Sequence, residues 1–200
     1  MNGKEFSMNK KNIVFISDMN PLGSGYRNIA VGLCNGLFNS DHNVACLGLG
    51  YDGSEHWNRF SLIPVQNLGE IEVMVNNFKS MGKVDVVIIA LDIPMQERFI
   101  PLFKKMGIKT MVITPLESSP LCLSWAFLLG EANKVFFISQ LGEDEAKKAG
   151  LEAEHLRIGL DTVSWRLRTQ DEYTKGRESM NISPDTLVVL TVADNQERKN

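Results

Sequence analysis

Several things are scarce in this 200-residue chain. It has three cysteines, Cys34, Cys46 and Cys122, spaced far apart and with no CxxC pair. A disulfide framework or a cysteine zinc site is therefore excluded, and reduced thiols in a cytoplasmic protein are expected. The three histidines, His42, His56 and His155, show no ligand spacing, so no metal site is expected. There is no excess of positive charge: 21 Lys and Arg face 24 Asp and Glu. A nucleic-acid binder would carry a basic stripe, and no nucleic-acid partner is expected. No apolar run approaches the roughly 20 residues that cross a bilayer. The longest, Val84–Leu91, is interrupted by Asp85. The first eleven residues are polar and hold lysines, without a signal-peptide core. G-x-S-x-G and Walker A motifs are also missing, which leaves hydrolase and nucleotide triphosphatase readings unsupported.

What is present is an alternation. With 44% hydrophobic residues, the chain can bury a core. Short β-branched runs at 12–17, 44–49, 61–65, 84–91, 109–114 and 134–139 read as strands, with a further short one near 156–159. Between them, 26–38, 71–81, 94–106, 121–131 and 142–149 carry apolar residues at helical spacing. Gly107 should cap the helix over 94–106, and Lys104 and Lys105 suit its negative end. Strand 84–91 is apolar on both faces, as in the interior of a parallel sheet. The rhythm predicts an α/β fold: a Rossmann-like, doubly wound parallel sheet. Ligands of such sheets bind beyond the carboxyl ends of the strands.

The loops at those ends hold the candidates. Pro21-Leu22-Gly23-Ser24-Gly25-Tyr26 joins a strand to a helix, either as a tight turn or as a loop whose N–H groups face an anion. Asn28 replaces the last glycine of the dinucleotide fingerprint, and no acid closes the second strand. Glu117, in the loop 114–120, is a candidate hydrogen-bond partner for a polyol, against a plain surface turn. Asp18 and Asp92 stand at strand ends as ligand contacts or cap residues. His56 and Trp57 lie in a loop that either faces an acceptor or is simply exposed. Arg198-Lys199 follows an apolar run at 186–192 and offers either two cations for a diphosphate or a solvated charge pair.

Taken together, these stretches resemble the retaining GT-B glycosyltransferases of family 4, the group 1 type. Lys134–Gly142 is similar to that family's segment with a serine before a helix and a glycine. Ile158-Gly159-Leu160-Asp161 resembles its hGvD turn, and Thr191–Asn200 the opening of its donor-binding domain. Pro21–Tyr26 resembles its glycine loop, Asp41–Val44 its turn into the second strand, and Thr114–Pro120 with Trp125 a further segment. The resemblance implies the N-terminal half of a GT-B fold. Residues 1–160 would form the acceptor-side domain, 161–183 a linker, and 184–200 the first strand and loop of a truncated donor-binding domain. It implies a hexosyltransferase taking a nucleotide-sugar donor and a saccharide or other hydroxyl acceptor, with retention and without a metal or further cofactor. Gly23, Ser24, Gly25, Arg198 and Lys199 would meet the donor; Asp18, Tyr26, His56, Trp57 and Glu117 would meet the acceptor. The resemblance also allows peripheral membrane contact.

There are departures. Asp194 stands where the family has an arginine, and the family's catalytic-side histidine has no counterpart, Glu117 lying closest. The E-x7-E motif is absent, so the chain is expected to be inactive alone and to need a C-terminal domain. Without sheet partners, strand 186–192 is expected to be frayed, docked on the first domain, or paired with another chain. Two rival readings are a non-catalytic saccharide- or partner-binding module and a nucleotide-cofactor oxidoreductase.

Overall fold

The computed structural model describes residues 10–22, 24–54, 58–160, 162–163 and 165–190. The chain divides into two compact units, Met1–Gly159 and Leu160–Asn200.

The first unit is built on seven parallel strands: β1 (Asn12–Asp18), β2 (Asn43–Leu49), β3 (Ser61–Val65), β4 (Val86–Ala90), β5 (Lys109–Thr114), β6 (Lys134–Phe137) and β7 (Glu154–His155). Their order is β3-β2-β1-β4-β5-β6-β7. The sequence runs outward from β1 to β3, then returns to the other side of β1 at β4. That reversal between β1 and β4 is the topological switch point, where loops diverge and leave a crevice. The α/β Rossmann-like reading therefore holds.

Side-chain alternation divides the core by face. Val14, Ile16, Val87 and Ile89 point one way, into a cluster with Ile71, Val75 and Phe103. Ile13, Phe15, Ile88 and Ala90 point the other way, toward Ala30 and Cys34. Helix α1 (Gly25–Asn39) covers this second face. Helices α2 (Leu68–Ser80), α3 (Ile93–Gln96), α4 (Phe99–Lys105), α5 (Leu123–Leu129) and α6 (Gln140–Lys148) contribute to the first. Within the second cluster, the neighbouring Cys46 thiol and burial push the Cys34 thiol well above its ordinary range. Gly107 ends α4 at φ +68°, as its position after Lys104 and Lys105 predicts.

Three expectations need correction. The single helix over 94–106 is broken into α3 and α4. Pro101 has no N–H to return to the Glu97 carbonyl, and its ring crowds that carbonyl, so the chain turns at 97–98. The last strand of the sheet lies at 154–155, not near 156–159; Leu156 N–H still donates to the Phe137 carbonyl at 2.8 Å.

The third correction concerns the run 186–192. Its described residues, 186–190, form no strand, and Leu187, Val189 and Leu190 are more than three-quarters exposed. High β-propensity does not by itself make a strand where no neighbouring strand is there to pair with among the described residues. The rest of that run lies outside the described residues.

In the second unit, α7 (Gln170–Ser179) starts at a capping box: Thr169 caps the Glu172 N–H, and Glu172 reaches back to the Thr169 N–H. Arg166 pairs with Glu172 at 2.7 Å and, with the Thr169 N–H, holds its carboxyl at about 2. The buried Arg177 guanidinium ties the Ser183 and Thr186 carbonyls to this helix.

Candidate functional site

The crevice at the switch point is bordered by the loops after β1, β4 and β5. Across the switch point, the buried Ser17 hydroxyl donates to the Ala90 carbonyl at 3.1 Å, joining β1 to β4 just beneath the loops.

The β1–α1 loop is held by its own side chains. Asp18 accepts the Asn20 N–H at 2.9 Å, and Asn20 accepts the Leu22 N–H at 3.0 Å. These are Asx turns, in which a short side chain mimics the backbone of a turn. Ser24 caps α1 by accepting the Arg27 N–H at 3.1 Å, and the Arg27 guanidinium closes back on the Pro21 carbonyl at 2.9 Å. Gly25 opens the helix with free space where a Cβ would lie. Ser24 therefore acts as a helix cap, and its hydroxyl is engaged within the protein.

Tyr26 meets Asp92 here, and the Glu117 charge acts on the phenol from a distance. The phenol donates to an Asp92 oxygen at 2.5 Å. Burial, the Asp92 hydrogen bond, and the charges of Asp92 and Glu117 all push the Tyr26 phenol well above its ordinary range. It stays protonated, so it donates to Asp92 and leaves its oxygen lone pairs free to accept. Asp92 stands at the N-cap position of α3, yet its side chain makes no cap bond there; the Tyr26 hydroxyl has it instead.

Two residues that support these loops escape a sequence reading. Gln96, fully buried, donates its amide to the Leu91 and Ile113 carbonyls, tying the ends of β4 and β5 together. Glu145, 4% exposed, reaches from α6 to the β5–α5 loop that carries Glu117. It accepts the Leu121 N–H at 3.3 Å and pairs with Lys148 at 2.7 Å. The Lys148 ammonium, with help from the Ser119 hydroxyl and the Leu121 N–H, lowers its carboxyl pKa. In sequence, Glu145 lies among Glu143, Asp144, Lys147 and Lys148 and looks like part of a solvated helix face. The buried Gln96 has no signal of its own.

The candidate residues thus divide into three groups. Tyr26 is bonded to Asp92, and Glu117 lies close enough for its charge to act on the phenol. Asp18, Ser24 and Gly25 lie in the same crevice wall, with Asp18 and Ser24 engaged in turn and cap bonds. Gly23, His56, Trp57, Arg198 and Lys199 lie outside the described residues.

A separate hollow of about 680 Å3 sits at the opposite, amino end of the sheet, between α5, α6 and the start of β6. It contains none of the candidate residues. The switch-point crevice is the better functional site because convergent polar groups and a strongly perturbed phenol collect there.

Two motif residues have structural work. Ser139 caps α6 by accepting the Gly142 N–H at 3.1 Å. A Cβ on Gly142 would stand 2.5 Å from the Phe137 ring, so only glycine lets this helix start lie against β6.

Among the described residues, no three His, Cys, Asp or Glu side chains are grouped to hold a metal ion. Nor is any helix among them long and apolar enough to cross a membrane. No protein-family model matches the chain, and a search of curated proteins finds no match either.

Proposed function

We propose that this chain is the acceptor-side domain of a retaining glycosyltransferase that uses a nucleotide-sugar donor. The observation that carries the reading is the Tyr26–Asp92 hydrogen bond at the switch point of the parallel sheet, with the Glu117 charge near enough to act on the phenol. Sugar acceptors present hydroxyl donors. The crevice answers with acceptors: a carboxylate already ordered by a phenol, a second exposed carboxylate, and the phenol oxygen itself. Because Tyr26 keeps its proton, it orients Asp92 and does not act as a base. Asp92 and Glu117 hold the acceptor by accepting hydrogen bonds from its hydroxyls. Bonds to charged groups contribute about 1.5–3 kcal/mol each.

The donor side rests on the sequence resemblance at Gly23, Ser24, Gly25, Arg198 and Lys199. The nucleotide-cofactor reading is weakened at β2, which ends in Leu49-Gly50 followed by buried Tyr51, where a ribose-binding acid would be needed.

Thermal-shift measurements test the assignment, using UDP-, GDP- and ADP-sugars, simple saccharides, and NAD or NADP. Stabilisation by a saccharide or nucleotide sugar is expected, with the saccharide effect weakened by Asp92→Asn and Glu117→Gln. Stabilisation by NAD or NADP alone would overturn it.

A further inference from the structure

Gln96 is fully buried at the end of α3, and its amide nitrogen uses both hydrogens. Nε2 donates to the Leu91 carbonyl and, at 3.3 Å, to the Ile113 carbonyl. Its Oε1 has no partner among the described residues. Turned over, the amide would set that oxygen against two carbonyl oxygens, so its orientation is fixed. An apolar side chain of the same length would fill the space without burying an unmatched acceptor. What the amide adds is the two bonds.

Those bonds lie directly beneath the crevice. The β4–β5 ladder ends at Ala90 and Ile113. Leu91 is one residue past it, immediately before Asp92. A peptide group is planar, so a fixed Leu91 carbonyl also fixes the Asp92 N–H and Cα. On the other side of Asp92, its own carbonyl accepts the Gln96 backbone N–H at 3.2 Å. Gln96 thus holds both peptide groups that flank Asp92. Its second amide bond fixes the peptide between Ile113 and Thr114, where β5 ends and the loop carrying Glu117 begins. The Asp92 side chain is exposed and makes no cap bond at α3, so its direction follows from this backbone and from the Tyr26 hydroxyl.

We propose that Gln96 is the positioning residue of the crevice: it aims the Asp92 carboxylate at the Tyr26 hydroxyl and ties the start of the Glu117 loop to the same buried amide. Its effect on ligand binding rests on the sugar-recognition reading; its hold on Asp92 does not.

Gln96→Met keeps the length of the side chain and removes both donors. The test is the NMR signal of Tyr26 Cζ, read without ligand in a chain with isotope-labelled tyrosine. Only three tyrosines are present. The Tyr26 signal should move in the direction that Asp92→Asn moves it, while that of Tyr173, in the other unit, stays. Val75→Ala removes buried methyl groups from α2, and should lower stability with the Tyr26 signal unmoved. A merely structural Gln96 would behave like Val75, so lost stability with an unmoved Tyr26 overturns the proposal. Gln96→Met should also raise the dissociation constant of a bound saccharide about tenfold. Unchanged affinity in a variant whose Tyr26 signal has moved overturns the link to binding. If no saccharide binds even the parent chain, the sugar reading falls, and the ligand-free Tyr26 signal still decides on Gln96. Should Gln96→Met not fold, hydrogen exchange in the parent chain decides. The Gln96 side-chain N–H hydrogens should exchange as slowly as the β4 backbone amides, and exchange as fast as that of an exposed side chain overturns the proposal.

Discussion

The two ends of the same seven-stranded sheet have opposite chemistry. At the carboxyl end, side chains are tied within the protein: Tyr26 to Asp92, Asp18 to the Asn20 N–H, and Glu145 to the Leu121 N–H and Lys148. At the amino end of β6, small residues leave a hollow and Phe127 stands in solvent. The strands are shared, so the difference lies in the segments that leave and enter them. Parallel strands gather all their outgoing loops at one end, and those loops carry the polar residues. The other end receives helix C-termini and short turns, which here leave apolar surface uncovered. Hydroxyl recognition is therefore proposed for the carboxyl end, while the amino end of β6 leaves Phe127 and Leu123 in solvent.

The sharpest test of that contrast is a small-residue change made at each end. Gly142→Ala drives a methyl into Phe137 and should destabilise the fold by about 1–3 kcal/mol in urea. Ala149→Leu grows into the hollow instead, and should stay within about 0.5 kcal/mol of the parent. Equal losses would mean that the two ends are packed alike.

Next in size, Tyr26→Phe removes one hydrogen bond and should cost about 0.5–1.5 kcal/mol. The same contact has a pH signature. The phenol pKa is raised in the folded state, so its contribution is present below the unfolded value of about 10 and is lost as pH rises beyond it. Asp92→Asn should bring the phenol back down, visible as earlier phenolate absorbance in an alkaline titration. An unchanged titration would remove Asp92 from the site.

The smallest effect lies in the other unit. Glu172 is held at about 2 by Arg166, so its support for α7 is complete above the unfolded value of about 4.3 and is lost as pH falls toward 2. This pair is partly exposed, so salt should shrink its effect. Amide shifts of α7 that move in that window in low salt, with the sheet unchanged, would fit. Sheet signals moving first would not.

The fold was legible because its signals are local. Apolar runs mark β1, β4 and β5, and Gly107 with two lysines marks the end of α4. Pro101 is easily misread because its cost falls on a carbonyl four residues earlier, inside an otherwise helical pattern. The site was only half legible. Tyr26 and Asp92 are 66 residues apart, and only the return of the chain to β4 beside β1 brings them together. Glu145 is hidden because its burial depends on where the β5–α5 loop runs. Ser139 and Gly142 belong to a family-like pattern, yet packing alone accounts for both: one caps a helix and the other makes room for Phe137.

The proposed function puts sugar recognition at the carboxyl end of the sheet. An amide-resolved NMR titration of the chain with nucleotide sugars and saccharides tests it directly. Shifts are expected to concentrate in the loops holding Asp18, Ser24 to Tyr26, Asp92 and Glu117, and to weaken in Glu117→Gln. Shifts confined to the Phe127 hollow, or none at concentrations where such ligands bind, would contradict it.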